Sequence, residues 1–344
     1  MMTERFFGLP ITTGINATGA NLNPHIEIDW TPKRAAYERI QAACPSPLEQ
    51  AWAYGDSIAE ISKVEIRRAT IIAQGSPVAT IQTAEHKLPA GFNLVRLTRG
   101  PVSTTPVLLP EIARALRTEY PRLWRNLRFW MPDVIGGADS IRPIGKRMMT
   151  NGYTTAWLDL QPEQDVLRAN LRGNWRNALA QAEADAPKIR DDRRPREIET
   201  FIAGHLKDRR AQKYSGPSEI LVRRIAETFK KDTFLLQALD HGDVIAATLF
   251  LRHGSSATYY LSWTTSLGRE RNAAHLLLCQ GLLQLRETGV KWLDLGGMDA
   301  RAPGLARFKL GLGADATTYS GTWFCPRNTT PRTLYTVGRA FIGF

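Results

Sequence analysis

The stretch AAHLLLCQGLLQLRETGVKWLDLGG, residues 273–297, decides the fold. Leu276, Leu277, Cys279, Leu282, Leu283 and Leu285 recur at helical spacing over Ala273–Thr288, and Gly289 ends that helix. Trp292–Leu295 then reads as a buried strand running into Asp294-Leu295-Gly296-Gly297. Upstream, Thr233–Leu239, Val244–Arg252 and Ala257–Thr264 are rich in strand formers and are separated by turns at His241-Gly242 and His253-Gly254, which predicts three antiparallel strands. A helix between the third of these and Trp292–Leu295 predicts a parallel crossover.

Further outward, helices are expected over Glu197–Arg210 and Ser218–Lys230, with the charged loop Asp191-Asp192-Arg193-Arg194-Pro195-Arg196 before them. A strand at Thr154–Leu160 leads into one amphipathic helix from Pro162 through Leu179, with Arg168, Arg172 and Arg176 on its basic side. The first half runs in the same order at smaller scale. It has a helix over Leu48–Ile61, strands at Val64–Ala73, Pro77–Thr83 and Phe92–Leu97, the turn Arg99-Gly100-Pro101, a helix over Pro110–Thr118 and a strand at Leu127–Met131. The expected fold class is therefore α/β with mixed sheets (α+β), in two tandem domains over 46–150 and 151–323. An irregular lead-in rich in Gly, Pro, Asn and Thr (1–45) and a tail (324–344) flank them. A length of 344 residues suits two cores rather than one.

The chain is 43% hydrophobic, which excludes a disordered polymer. With 45 Lys and Arg against 33 Asp and Glu, the net charge of +12 favours polyanionic partners: RNA, a phosphate-bearing substrate, or peripheral contact with an acidic membrane surface. Cys44, Cys279 and Cys325 are far apart with no CxxC, so neither a disulfide framework nor a zinc site is expected, and a reduced cytoplasmic setting fits. No run approaches the length of a transmembrane helix. His205, His241, His253 and His275 are scattered, so no metal is expected. Asp294 and Asp299 suit either a general base at a strand end or a turn.

Five segments occur in a telling order: Gln50-Ala51-Trp52-Ala53-Tyr54-Gly55, Arg99-Gly100-Pro101, Trp175-Arg176-Asn177, Leu293–Gly297 and Phe308-Lys309. Together they resemble the Fem family of peptidyltransferases, tandem GNAT-fold enzymes in which an amine attacks the aminoacyl ester of a tRNA; the likeness spans residues 48–323. The resemblance implies an N-acyltransferase with aminoacyl-tRNA as donor, acting on a peptidoglycan precursor or another small, nucleotide- or lipid-linked amine, with its cleft mainly in the second domain. Lys309 matches the family lysine of the Phe-Lys motif and is the candidate catalytic residue, with Phe308 beside it. Two glycines after it, Gly311 and Gly313, are expected to let the backbone approach a ligand. Arg176, with Arg172 and Asn177, matches a position that holds acceptor phosphates; the same residues also suit a solvated basic face. Tyr259, Tyr260 and Trp263 are implied substrate contacts, and strand alternation predicts Tyr259 and Trp263 on the face opposite Tyr260. The chain departs from the pattern in having no lysine between Gln50 and Ser62, which leaves the acceptor open.

An acyl-CoA-dependent N-acetyltransferase acting on an amino sugar or polysaccharide precursor is the alternative. Its pyrophosphate loop would be Arg269-Glu270-Arg271-Asn272-Ala273-Ala274, with Arg269, Arg271, Asn272 and Ala274 as the contact positions and Asn272 standing where a glycine is expected. A non-enzymatic RNA-binding role is a third reading. No resident cofactor is expected, and the sequence carries no sign of the oligomeric state.

Overall fold

The structure is a computed structural model that describes residues 5–6, 9–10, 25–119, 126–132, 146–147 and 152–324. Cys325, the expected tail beyond Phe324, and residues 1–4, 7–8 and 11–24 of the lead-in lie outside these residues. In chain order the first half has β1 (Ile26–Asp29), α1 (Arg34–Gln41), α2 (Trp52–Ser62), β2 (Glu65–Ala73), β3 (Ser76–Lys87), β4 (Asn93–Thr98), α3 (Leu109–Glu119), β5 (Asn126–Met131) and β6 (Lys146–Arg147). The second has β7 (Thr154–Asp159), α4 (Gln164–Ala169), α5 (Gly173–Asp185), β8 (Lys188–Asp191), α6 (Pro195–Gln212) and α7 (Glu219–Phe229). It continues with β9 (Thr233–Asp240), β10 (Asp243–His253), β11 (Ser256–Thr264), α8 (Ser266–Glu270), α9 (Ala273–Glu287), β12 (Trp292–Gly297), α10 (Pro303–Leu310), β13 (Asp315–Thr318) and β14 (Trp323–Phe324).

Two mixed sheets result, with strand orders β1-β2-β3-β4-β5-β14-β6 and β8-β9-β10-β11-β12-β7-β13. Each has four antiparallel strands, then one parallel neighbour, then two more antiparallel strands. The two sheets thus share one pattern of strand directions, as their repeated order predicts, but the place that β7 fills in the second is filled in the first by β14. β14, at the end of the second half, pairs through Trp323 and Phe324 with Trp130 and Phe129 of the first sheet, so the chain crosses between the sheets and returns.

Three expectations are corrected. Residues 26–41, read as irregular, form an edge strand and a helix whose Tyr37 is fully buried, its hydroxyl donating to the Gln50 carbonyl. The single helix expected through Leu179 is two, because the chain turns between Asn170 and Arg172 and the Arg172 N–H donates to the Gly311 carbonyl at 2.9 Å. In β11, Phe250 of β10 pairs with Tyr259 while Leu249 pairs with Leu261, so Tyr260 is the extra residue of a bulge. The bulge shifts the alternation: Tyr259 packs in the α5/α9 core, and Tyr260 and Trp263 pack together on the α6/α7 side.

The second sheet buries one face under α4, α5 and α9 and the other under α6 and α7. A further apolar cluster joins the halves, setting Leu48, Ala51 and Tyr54 against Leu221, Ile225, Phe229 and Tyr260. The Gln-Trp-Tyr-Gly segment serves this scaffold. Buried Gln50 donates to the carbonyls of Gln82 and Thr98 and accepts from Gln82 N–H, while Trp52 lies under the Arg68 guanidinium at 4.1 Å.

Candidate active site

The two sheets differ where their parallel strands meet. In the first, β4 and β5 stay in register over six pairs, from Asn93↔Asn126 to Thr98↔Met131. In the second, β11 and β12 pair only at Ser256↔Trp292, Ala257↔Leu293 and Thr258↔Asp294, and then part. Both strands are bulged at the fork: β11 at Tyr260, and β12 at Leu295-Gly296 opposite Ala156, where Gly296 takes a φ of +74°. Parting strands free backbone groups that can bind a ligand, and the parting occurs in the second sheet, where the cleft is expected, and not in the first.

Lys309 stands in this fork. It lies in the last turn of α10, only 5% exposed, which removes the reading of a surface lysine. Its Nζ donates to the Gly297 carbonyl at 2.7 Å. A side chain at Gly296 would make ordinary contact, 3.6 Å from the Tyr259 carbonyl and 3.7 Å from Lys309 Nζ, so its positive φ rather than lack of room calls for glycine here. Burial pushes the Lys309 amine down to about 8, partly offset by the Asp294 carboxylate.

Asp294 is the last residue paired before the fork, and it is not a base awaiting a proton. Fully buried, it accepts from Arg99 Nη1 at 2.6 Å on one oxygen, and from Thr155 Oγ1 at 2.6 Å and Gly296 N–H at 2.8 Å on the other. Burial pushes its carboxyl up, but Arg99 and these donors outweigh it and hold the carboxyl below the usual range. Asp299 is likewise excluded, being exposed and paired with Arg301.

Arg99 comes from the first half, at the end of β4, with a left-handed φ of 53° and its N–H bonded to the Met131 carbonyl. Its guanidinium also reaches Glu49 at 3.4 Å and lies 5.1–5.8 Å from the ring centres of Tyr153, Trp157 and Tyr319. The Glu49 side chain is 28% exposed yet hemmed in, and burial raises its carboxyl against the pull of Arg99. Tyr153 is 43% exposed and its ring abuts Gly297, which places it beside the carbonyl that holds Lys309.

The other expected residues fall in three places. Arg172, Arg176 and Asn177 are exposed on the first turns of α5, docked onto α10 by Trp175 Nε1, which donates to the Phe308 carbonyl at 3.0 Å. Arg176 also donates to the Leu171 carbonyl. Phe308 packs against Trp175 and His275, so it supports α10 rather than facing the fork. The glycines after Lys309 serve packing too: a side chain at Gly311 would strike the Trp175 ring, and Gly313 abuts Asn170.

Tyr259 points its hydroxyl to Ser262 Oγ at 2.5 Å, which leaves its carbonyl, not its phenol, at the fork. Tyr260 sits in the inter-half cluster, and Trp263 donates to the Phe201 carbonyl with its ring against Gly204. The loop at 269–274 lies at the start of α9. Asn272 adopts a φ of 52°, the left-handed conformation a glycine would take, and its amide turns aside to Gln181, so the loop keeps its backbone shape without the glycine. Arg271 is engaged with Asp240 at 2.6 Å and with Asp185, while Ala273 and Ala274 supply first-turn N–H groups. α5 runs from α10, which its Trp175 meets, to this loop, which its Gln181 and Asp185 meet.

At the carboxyl end of β11 a surface cleft of about 710 Å³ is lined by Trp263, Arg196, Lys207 and Arg269, together with the Arg190–Glu197 pair and Asp208. Arg196, Lys207 and Arg269 have no carboxylate partner among the described residues. Nor do those residues include a cluster able to hold a metal, or a helix long and apolar enough to cross a membrane. Sequence reasoning missed Tyr153, Thr155 and Glu49 and gave Arg99 no role; only Arg99 carried a signal, as the head of its Arg-Gly-Pro turn.

This fold and fork define a class. Residues 167–313 match the family model described as an acetyltransferase (GNAT) domain, which supports an acyltransferase. The whole chain has the tandem arrangement of FemX: it is similar to the FemX crystal structure at a TM-score of 0.76 and 15% identity, over 90% of this chain and 99% of that one. It is also similar, at a TM-score of 0.52 and 11% identity, to the C-terminal domain of an Agrobacterium fabrum protein described as a lysylphosphatidylglycerol synthetase, over 90% and 95% of the two chains. A Bacteroides thetaiotaomicron protein of unknown function matches at 0.54 and 12% identity, over 88% and 100%. A search of curated proteins finds no match.

Proposed function

We propose that the protein is an aminoacyltransferase that moves an amino acid from aminoacyl-tRNA to the amine of a small acceptor such as a peptidoglycan precursor. The observation that carries this reading is Lys309, a buried amine held at the fork of β11 and β12 in a fold shared with FemX. The acceptor amine attacks the ester carbonyl, a C–N bond forms, the bond between the acyl carbon and the ribose oxygen breaks, the amine's proton ends on that oxygen as the tRNA leaves with a free hydroxyl, and the Lys309 ammonium stabilises the charge that develops on the carbonyl oxygen. Nearby, Trp263 with Arg196, Lys207 and Arg269 offers an aromatic surface and three cations with no carboxylate partner among the described residues, which suit the end of an RNA strand.

The test is transfer of a labelled amino acid from charged tRNA, combined with tRNA binding across a salt series. Binding is expected to weaken steeply, with log Kd linear in log salt and a slope of about 2–3 if those three cations each meet a phosphate. A flat salt dependence would sink the tRNA donor. Arg176, exposed beside α10, is assigned to acceptor phosphate: Arg176→Ala is expected to raise the acceptor KM several-fold with kcat little changed, and an unchanged KM would remove that assignment.

An acyl-CoA donor is the second reading, favoured by the left-handed Asn272, which preserves a glycine-like turn before the free N–H groups of α9. Saturable acetyl-CoA binding at physiological salt without tRNA affinity would select it.

A further inference from the structure

We propose that Arg99 is a positioning residue through which the first half of the chain sets the geometry of Lys309 in the second. The contacts form one line. Arg99 Nη1 holds Asp294 Oδ2 at 2.6 Å; Asp294 Oδ1 accepts Gly296 N–H at 2.8 Å; and the turn so fixed presents the Gly297 carbonyl to Lys309 Nζ at 2.7 Å. Thr155 Oγ1 completes the Asp294 shell at 2.6 Å.

Arg99 is itself immobilised. Its backbone is tied to Met131, and its guanidinium is caged by Tyr153, Trp157 and Tyr319, the last two joined by a 3.0 Å hydrogen bond from Trp157 Nε1 to the Tyr319 hydroxyl. Tyr153 touches both ends of the line, because its ring covers Arg99 and abuts Gly297.

A buried ion pair is a poor adhesive between domains, since apolar residues of the same size would hold as well or better. This pair instead lies at the last register position before the strands part, where a shift of Gly296-Gly297 would move the Lys309 partner. The charged group that bears on Lys309 is Asp294 from β12, itself paired with Arg99 from β4, with Glu49 beyond Arg99; His253, bonded to Thr258, is kept neutral by burial.

The inference rests on Lys309 as the working amine, and its test has a readout that needs no donor. Lysine labelling by acetic anhydride across pH, read at Lys309 by peptide mass spectrometry against exposed Lys63, follows the amine directly. The wild-type midpoint is expected near pH 8. Asp294→Asn removes the carboxylate that raises the amine, so the midpoint falls and labelling at pH 7 rises several-fold. Arg99→Met leaves that carboxylate unneutralised, so the midpoint rises and labelling falls several-fold; Arg99→Lys restores most of the wild-type curve. In transfer assays Arg99→Met should lower kcat with both KM values little changed.

Should Arg99→Met fail to fold by circular dichroism, Asp294→Asn and Arg99→Lys decide alone. A Lys309 curve that does not move in folded Asp294→Asn overturns the proposal, as does one that moves the same way in Asp294→Asn and Arg99→Met. The expected shifts in a protein that transfers nothing would uphold the coupling and sink the aminoacyltransferase reading instead.

Discussion

Lys309→Met is expected to lower turnover about a hundredfold while leaving acceptor and donor KM near wild type. Removing one preorganised donor to a developing oxyanion raises the barrier by about 3 kcal/mol, and the ground state carries no such charge to lose. Methionine matches the length of the side chain and keeps the apolar fill, so the fold should survive. The sign of the pH dependence follows from burial, which brings the amine to about 8. Below that value Lys309 carries the proton that stabilises the oxygen, and as pH rises through it this contribution is lost. Turnover of the wild type, measured with the donor ester stable over the range, should therefore fall above pH 8 in a limb absent from Lys309→Met. A variant with wild-type turnover would remove the catalytic assignment.

Arg99→Met is expected to destabilise the folded chain by about 3–5 kcal/mol, because it strands the fully buried Asp294 carboxylate without its partner. Urea unfolding followed by tryptophan fluorescence measures this, and loss of less than about 1 kcal/mol would contradict it. Arg99→Met with Asp294→Leu should recover much of the loss, since the stranded charge is then gone. The pair also sets an acid limit. The folded-state carboxyl of Asp294 is depressed, so its contribution is present above the unfolded value of about 3.9 and drains away as pH falls through the folded one.

Most of the fold was legible because its strands and helices write their burial locally. Leu276 to Leu285 face one core at helical spacing, and Thr233–Leu239 is buried throughout. What escaped depends on residues distant in sequence. The break at Asn170 is fixed by a hydrogen bond to Gly311, and no local pattern announces it. Tyr260 bulges out of an otherwise regular strand at the fork, which period-two reasoning cannot foresee. β14 is two residues that complete a sheet begun three hundred residues earlier. At the site, Lys309 and the Asp294 segment are visible as motifs, but Asp294 suits either a general base or a turn from sequence alone; its bond from Gly296 N–H gives it the turn, and Arg99, 195 residues away, occupies its other oxygen. Aromatic contacts were misjudged for the same reason: Tyr259 offers its carbonyl and Phe308 its bulk, and side-chain type alone does not reveal either.

The return of β14 to the first sheet bears on how the chain is made. During synthesis the first half leaves the ribosome with β5 lacking the neighbour that will lie between it and β6, and that neighbour follows only after the whole second half. The first sheet therefore carries an open edge until the last strand arrives, a surface on which a passing strand of another chain can pair. Cutting the protein at the middle of its sequence would make that exposure permanent, so neither half is a natural unit for separate expression.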